Sequence, residues 1–157
     1  MKGAGIAGGF ELTLPADLRV LGENAKYGVI EVDLGIFPHQ GSTQRLPRLV
    51  GIGRAKELVL TGEYIDPADA ERCGLVTEVV PDADVDERAR ELADDLTEKA
   101  PLGIQSALEA FGATFDVPLE DGLDIEHRLA MRVYGTDDRR EGFEAQLEGR
   151  EPQFEGR

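Results

Sequence analysis

The stretch Ile30-Glu31-Val32-Asp33-Leu34-Gly35-Ile36-Phe37-Pro38-His39-Gln40-Gly41-Ser42-Thr43-Gln44-Arg45-Leu46 places a carboxylate in an apolar run, then a loop, then a helix start. Glu31 lies between Ile30 and Val32, surroundings that raise a carboxyl pKa. Residues 26–34 read as extended, with a break at Gly28, and residues 35–42 read as a loop. A helical region follows from Thr43 to Val50, interrupted by Pro47 and stopped by Gly51. It resumes from Arg54 to Leu60 and ends at Thr61-Gly62.

Toward the N-terminus, Gly8-Gly9-Phe10-Glu11 is a glycine pair leading into a helix. The first N–H groups of a helix have no intrahelical acceptor, and glycine lets a ligand approach them. Aimed at a carbonyl oxygen, the Gly8 N–H would form half of an oxyanion hole. Glu11 lies about one helical turn later, and Glu31 follows after a strand and a turn able to bring the chain back. Two carboxylates converging beside an oxyanion donor suit proton transfer next to a carbonyl. The same glycines, as Gly3-x-Gly5-x-x-Gly8, match a dinucleotide fingerprint. That motif needs a strand before it, where this sequence has only Met1-Lys2, and a helix that runs past Pro15.

Asp17 to Leu21 alternates with period two and reads as a strand. Asp66-Pro67-Ala68-Asp69 is a helix start with an Asp N-cap and Pro at N1, and Gly74 fits the C′ position. Leu75 to Val80 is an apolar, β-branched strand. From Asp84 the pattern is helical, with Val85, Ala89, Leu92 and Leu96 on one face up to Pro101. Leu102–Phe111, Leu119–Val133 and Asp138–Leu147 read as three more helices, the last opened by an Asp138/Glu141 capping box. The first half is mixed α/β and the second mostly helical.

Composition narrows the class of function. With 41% hydrophobic and 31% charged residues the 157-residue chain can build a core. No apolar run is long enough to span a bilayer, and residues 1–10 lack a signal or transit pattern, so a cytoplasmic location is expected. Asp and Glu number 32 against 17 Lys and Arg, a net charge of −15. Such a chain repels nucleic-acid phosphates and anionic membranes, so neither is an expected partner. An acid excess with only four lysines (Lys2, Lys26, Lys56, Lys99) suits a protein from a salty cytoplasm, where salt screens the self-repulsion. Cys73 is the only cysteine, with no nearby His to activate it, and reads as a small packing side chain.

These residues resemble the enoyl-CoA hydratase/isomerase (crotonase) family. The resemblance is carried by Gly8-Gly9-Phe10-Glu11-Leu12, Ala16-Asp17-Leu18-Arg19, Asn24-Ala25-Lys26-Tyr27-Gly28 and Glu31 to Pro38. Gly41-Ser42-Thr43-Gln44-Arg45-Leu46, Thr61-Gly62, Gly74-Leu75-Val76 and Thr136 to Gly142 add to it, with consistent spacing from Gly3 to Arg157. The resemblance implies syn addition of water to a trans-2-enoyl-CoA, giving a 3-hydroxyacyl-CoA, as in fatty acid β-oxidation. Gly8 matches the oxyanion donor. Glu11 matches the carboxylate that activates water at C3, and Glu31 the one that delivers a proton to C2. No cofactor is implied, because the substrate itself carries coenzyme A; no metal is implied either. The implied partners are the acyl-CoA substrate and further copies of the chain, as a trimer or dimer of trimers.

The implied fold is α/β, a crotonase-type β-spiral core over residues 1–80 followed by a helical C-terminal oligomerisation region over residues 81–157. Only the C-terminal part of the core is matched. The family's long N-terminal part, with its further strands, the other oxyanion N–H and most of the CoA groove, has no counterpart. The expectation is therefore either a hydratase subunit with little activity alone, or a non-catalytic subunit that associates with a complementary fragment or a complete hydratase. Departures from the family pattern are local. Ile30 stands where a Pro is usual, His39-Gln40 replaces a glycine-rich pair, and Ser42 replaces a common Gly. Gln146 and Gly149 occupy positions where some members place an aromatic and a Lys, so no CoA contact is carried over to them. His39 reads as a solvent-facing loop residue rather than part of the acyl pocket.

Overall fold

The computed structural model describes residues 1–157, which divide into two compact units, Met1–Glu91 and Leu92–Arg157. The first unit is α/β. Its elements in order are β1 (Ala4–Ile6), α1 (Gly8–Glu11), β2 (Val20–Gly22), β3 (Lys26–Gly28), a 3-10 turn (Glu31–Leu34), α2 (Ser42–Thr61), β4 (Tyr64–Ile65), α3 (Pro67–Arg72) and β5 (Glu78–Val80). Helix α4 (Val85–Thr97) begins in this unit and ends in the second, which contains α5 (Pro101–Ala113), α6 (Leu119–Tyr134) and α7 (Asp137–Glu148).

The strands are short and form two small sheets. One has the order β1-β3-β4, with β1 parallel and β4 antiparallel to β3. The other pairs β2 with β5 in parallel, Val20 opposite Glu78. Two expected strands are therefore shorter than their apolar patterns. The Asp17–Leu21 strand pairs only from Val20, and the Leu75–Val80 strand only from Glu78. Just before that point the Arg19 carbonyl accepts the Thr77 N–H at 2.8 Å, and the Arg19 side chain reaches across, Nε donating to the Leu75 carbonyl at 2.6 Å. The extended stretch expected over residues 26–34 ends at Gly28, and Glu31–Leu34 coils into the 3-10 turn. No neighbouring strand offers Val32–Leu34 a ladder. Gly28 is needed at the crossing, because a Cβ there would lie 3.1 Å from the Glu63 carbonyl and from Tyr64 Cα.

The core of this unit is built on Phe10, Leu14, Leu21, Tyr27, Val29, Leu46, Leu58, Ile65 and Leu75, all buried. The Phe10 and Tyr27 rings pack with centroids 4.5 Å apart, which ties α1 to β3. Helix α2 is two helical pieces joined at Gly51, whose φ of 78° and ψ of 156° leave the helical region. Pro47 sits inside the first piece without ending it. The α3 start is as expected: the Asp66 carboxylate accepts the N–H groups of Ala68 at 2.9 Å and Asp69 at 3.3 Å.

In the second unit the three predicted helices are present within a residue or two of their expected bounds. The α7 cap differs. Thr136, not Asp138, is the N-cap, its side chain accepting the Arg139 N–H. Asp138 is instead buried and accepts N–H bonds from Glu155 at 2.7 Å and Gly156 at 2.9 Å, so it clips the C-terminal tail. The tail has its own hydrogen-bond needs, and these outweigh a second capping oxygen on a helix that Thr136 already caps. The expected apolar face of α4 is covered only in part. Val85 is buried, Leu92 is half-buried, and Leu96 is exposed. Several large apolar side chains of the helical unit are also exposed, among them Phe111, Leu119 and Leu147. No helix of the chain is long and apolar enough to cross a membrane.

Candidate active site

Strand β1 delivers the chain to Ala7, the one non-glycine residue with positive φ, at φ 52° and ψ −123°. Both of its peptide groups are committed: its N–H donates to the Gly28 carbonyl at 3.0 Å, and its C=O accepts the Glu11 N–H at 3.0 Å. The turn at Ala7 starts α1. Gly8, the first residue of that helix, has no intrahelical acceptor for its N–H, and no other carbonyl of the chain takes it. A side chain at Gly8 would come within 3.6 Å of the Gln40 amide, so this face of α1 lies against the 35–41 loop. The dinucleotide fingerprint is not formed. β1 runs through the middle of Gly3-x-Gly5-x-x-Gly8, whereas that motif requires all three glycines after the strand.

Glu11 ends α1 and is only 2% exposed. Its Oε1 accepts two backbone N–H groups, from Gln40 at 2.9 Å and Ser42 at 3.0 Å. Ser42 is the first residue of α2, so a side chain more than thirty positions earlier terminates this helix. This leaves Oε2 of Glu11 for another partner. Glu31 opens the 3-10 turn and is 3% exposed. Neither of its carboxylate oxygens has a hydrogen-bond partner. Burial pushes its pKa up, its own backbone N–H lowers it, and the charge of Glu11 raises it further. Glu31 therefore feels Glu11 electrostatically, and the fold brings together the two carboxylates that the sequence singled out.

His39 is exposed, its Nδ1 3.3 Å from the Phe37 carbonyl, as expected for a loop residue. Its charge is the smallest of the four influences on Glu31 and works against the upward shift. Ile30, in place of Pro, precedes the turn with φ −101°, outside the range a proline ring allows. Cys73 is half-buried, its Sγ 3.5 Å from the Ala70 carbonyl, and takes no part in the site. Sequence reasoning missed three contributors: Ala7 as the strained turn, Gln40 as a donor to Glu11, and Ser42, whose hydroxyl is buried without a partner. For Ser42 the signal was present, since it departs from a common glycine.

The first unit thus buries two carboxylates and leaves the Gly8 N–H without an acceptor in the chain. A family model described as Enoyl-CoA hydratase/isomerase matches residues 1–157, and the chain belongs to that family. It is 41% identical over 157 residues to the 2,3-dehydroadipyl-CoA hydratase of Escherichia coli, covering 100% of this chain and 62% of that protein. The crystal structure of enoyl-CoA hydratase from Bacillus anthracis superposes with a TM-score of 0.93 at 41% identity, over 99% of this chain and 60% of that one. A Geobacillus kaustophilus enoyl-CoA hydratase subunit gives a TM-score of 0.93 at 38% identity, over 99% and 61%. The chain thus spans less than two thirds of the length of these relatives.

Proposed function

We propose that the chain is an enoyl-CoA hydratase subunit that adds water across the double bond of a trans-2-enoyl-CoA. The observation that carries this reading is the pair of buried carboxylates with unequal surroundings. Glu11 holds one oxygen on two N–H donors and keeps the other for a water molecule, whose proton it takes as the oxygen adds to C3. Glu31 has its pKa raised, which favours the protonated form that delivers a proton to C2. Negative charge gathers meanwhile on the thioester oxygen, where the Gly8 N–H donates to it. The chain's own residues supply both proton transfers, and coenzyme A enters as part of the substrate. The exposed apolar side chains of α5, α6 and α7 support assembly with further copies, as a trimer or a dimer of trimers.

A second reading is a non-catalytic subunit that associates with a complementary fragment or a complete hydratase. The same exposed side chains favour it, since they suit a partner chain as well as a copy. Crotonyl-CoA hydration by the purified chain in high salt separates the two, followed through loss of the conjugated thioester absorbance. Turnover supports the first reading. Absence of turnover, together with capture of a complete hydratase, supports the second.

A further inference from the structure

The backbone of Gln40 is fixed at both ends. Its N–H donates to Glu11 Oε1 at 2.9 Å, and its C=O accepts Arg45 Nη1 at 3.2 Å. The next carbonyl, that of Gly41, accepts the Gln44 and Arg45 N–H groups at 3.0 and 2.8 Å, which ties the residue to the start of α2. The Gln40 side chain is tied to nothing. It is exposed, and no group of the chain hydrogen-bonds to its carboxamide. Its place is nonetheless definite. A Cβ built on Gly8 would have three atoms of that carboxamide as its nearest neighbours, Nε2 at 3.6 Å, Oε1 at 3.8 Å and Cδ at 3.9 Å. The nitrogen of Gly8 is one bond from the same Cα, and the chain offers its N–H no acceptor. Position 40 also lies in the His39-Gln40 pair that departs from the glycine-rich family pattern, so a glycine there supplies no such amide.

We propose that the Gln40 side-chain amide is a further donor to the thioester oxygen, beside the Gly8 N–H. The proposal rests on the hydratase reading and adds a catalytic residue to it. With the Gln40 backbone held still, an oxygen that accepts the Gly8 N–H falls within the sweep of Nε2. That oxygen takes up negative charge as water adds to C3, and a carboxamide N–H aimed at it stabilises the charge. The amide neither gains nor loses a proton. One residue then serves both ends of the reacting system. Its backbone N–H holds Glu11, which takes the proton of the water, and its side chain holds the oxygen on C1.

The experiment is calorimetric titration of the chain with butyryl-CoA, a thioester that cannot be hydrated, and with S-butyl-CoA, the thioether that lacks only the thioester oxygen. The proteins compared are the wild type, Gln40→Met, which keeps the length and removes the donor, and Gln40→Ala. Both variants retain the backbone N–H to Glu11, and circular dichroism checks their fold. Each should lose about fivefold in affinity for butyryl-CoA, the worth of one hydrogen bond, while S-butyl-CoA changes less than about twofold. The carbonyl stretch of bound butyryl-CoA, read by infrared difference spectroscopy, should move in both variants toward its value in free solution. Equal losses for both ligands, no loss for either, or an unmoved stretch overturns the proposal. A wild type that binds neither ligand defeats the hydratase reading itself and this assignment with it. A wild type that binds both, with variants that do not discriminate, defeats this assignment alone.

Discussion

Glu11 Oε1 accepts the backbone N–H of Ser42 at 3.0 Å, so a carboxylate on the short first helix closes the N-terminus of the long second one. This single bond couples the site to the fold. The donors that hold Glu11 are fixed by the start of α2, and that start is satisfied by Glu11.

Replacing either carboxylate by its amide should remove most hydration. General acid–base groups contribute about 10²–10⁴-fold, so with this segment joined to an N-terminal part of the family pattern, Glu11→Gln and Glu31→Gln should each lower crotonyl-CoA hydration by that order. Glu31→Gln should keep its circular dichroism spectrum, because no protein donor depends on it. Near-full activity in either variant would show that its assignment is wrong.

The raised pKa of Glu31 has a stability consequence with a definite sign. The unfolded chain ionises this carboxyl near its ordinary value of 4.5, whereas the folded chain holds it neutral to higher pH. Its contribution to stability is therefore full below about pH 4.5 and is lost as pH rises through the folded value. Glu31→Gln does not titrate. Its melting temperature relative to wild type should rise between pH 4 and pH 7, and a constant difference across that range would count against the shift.

Ala7 holds a positive φ that suits glycine, a conformation costing an L-residue of order 1–3 kcal/mol. Ala7→Gly removes that strain but adds about 0.4–1 kcal/mol of unfolded-chain entropy. The expected outcome is a net gain of up to about 2 kcal/mol in urea denaturation. A loss of stability would mean that the methyl group packs better than the torsion suggests.

The C-terminal tail is fastened to α7 by two carboxylates. Asp138 accepts the Glu155 and Gly156 N–H groups, and Glu141 accepts Arg150 and the Gln153 N–H. Asp138→Asn turns a carboxylate oxygen into a donor facing a donor, which should destabilise the tail by about 1–3 kcal/mol. Glu141 is held down to about 2, chiefly by Arg150, so its contribution is present above pH 4.5 and is lost as pH falls toward 2. Protection factors at residues 153–156, corrected for the intrinsic exchange rate at each pH, should fall in both cases while those of the β3 amides hold. Uniform acceleration across the chain would instead indicate global unfolding.

Low salt should destabilise the protein. At a net charge of −15, self-repulsion emerges as the Debye length grows from about 3 Å at 1 M to about 30 Å at 0.01 M salt. Thermal melts over that range should show a falling midpoint, and an unchanged one removes the salt-adapted reading.

The sequence by itself determined most of the helices and the candidate residues. Asp66-Pro67 carries its own capping chemistry, Gly51 and Gly62 punctuate α2, and the helical periods of residues 85–147 survive nearly unchanged. Each of these signals is local, written within one or two helical turns. Glu11, Glu31 and Gly8 were also legible, because glycine-led helix starts and a carboxylate between β-branched residues are short-range patterns. What only the tertiary structure decided depends on partners far away in the chain. Strand lengths follow from which residues find a ladder, so β2 begins at Val20 and the extended stretch stops at Gly28. The cap of α7 fell to Thr136 because the tail claims Asp138. The unpaired state of Ser42 and Glu31 exists only once packing has excluded water from them, and no local pattern encodes that exclusion.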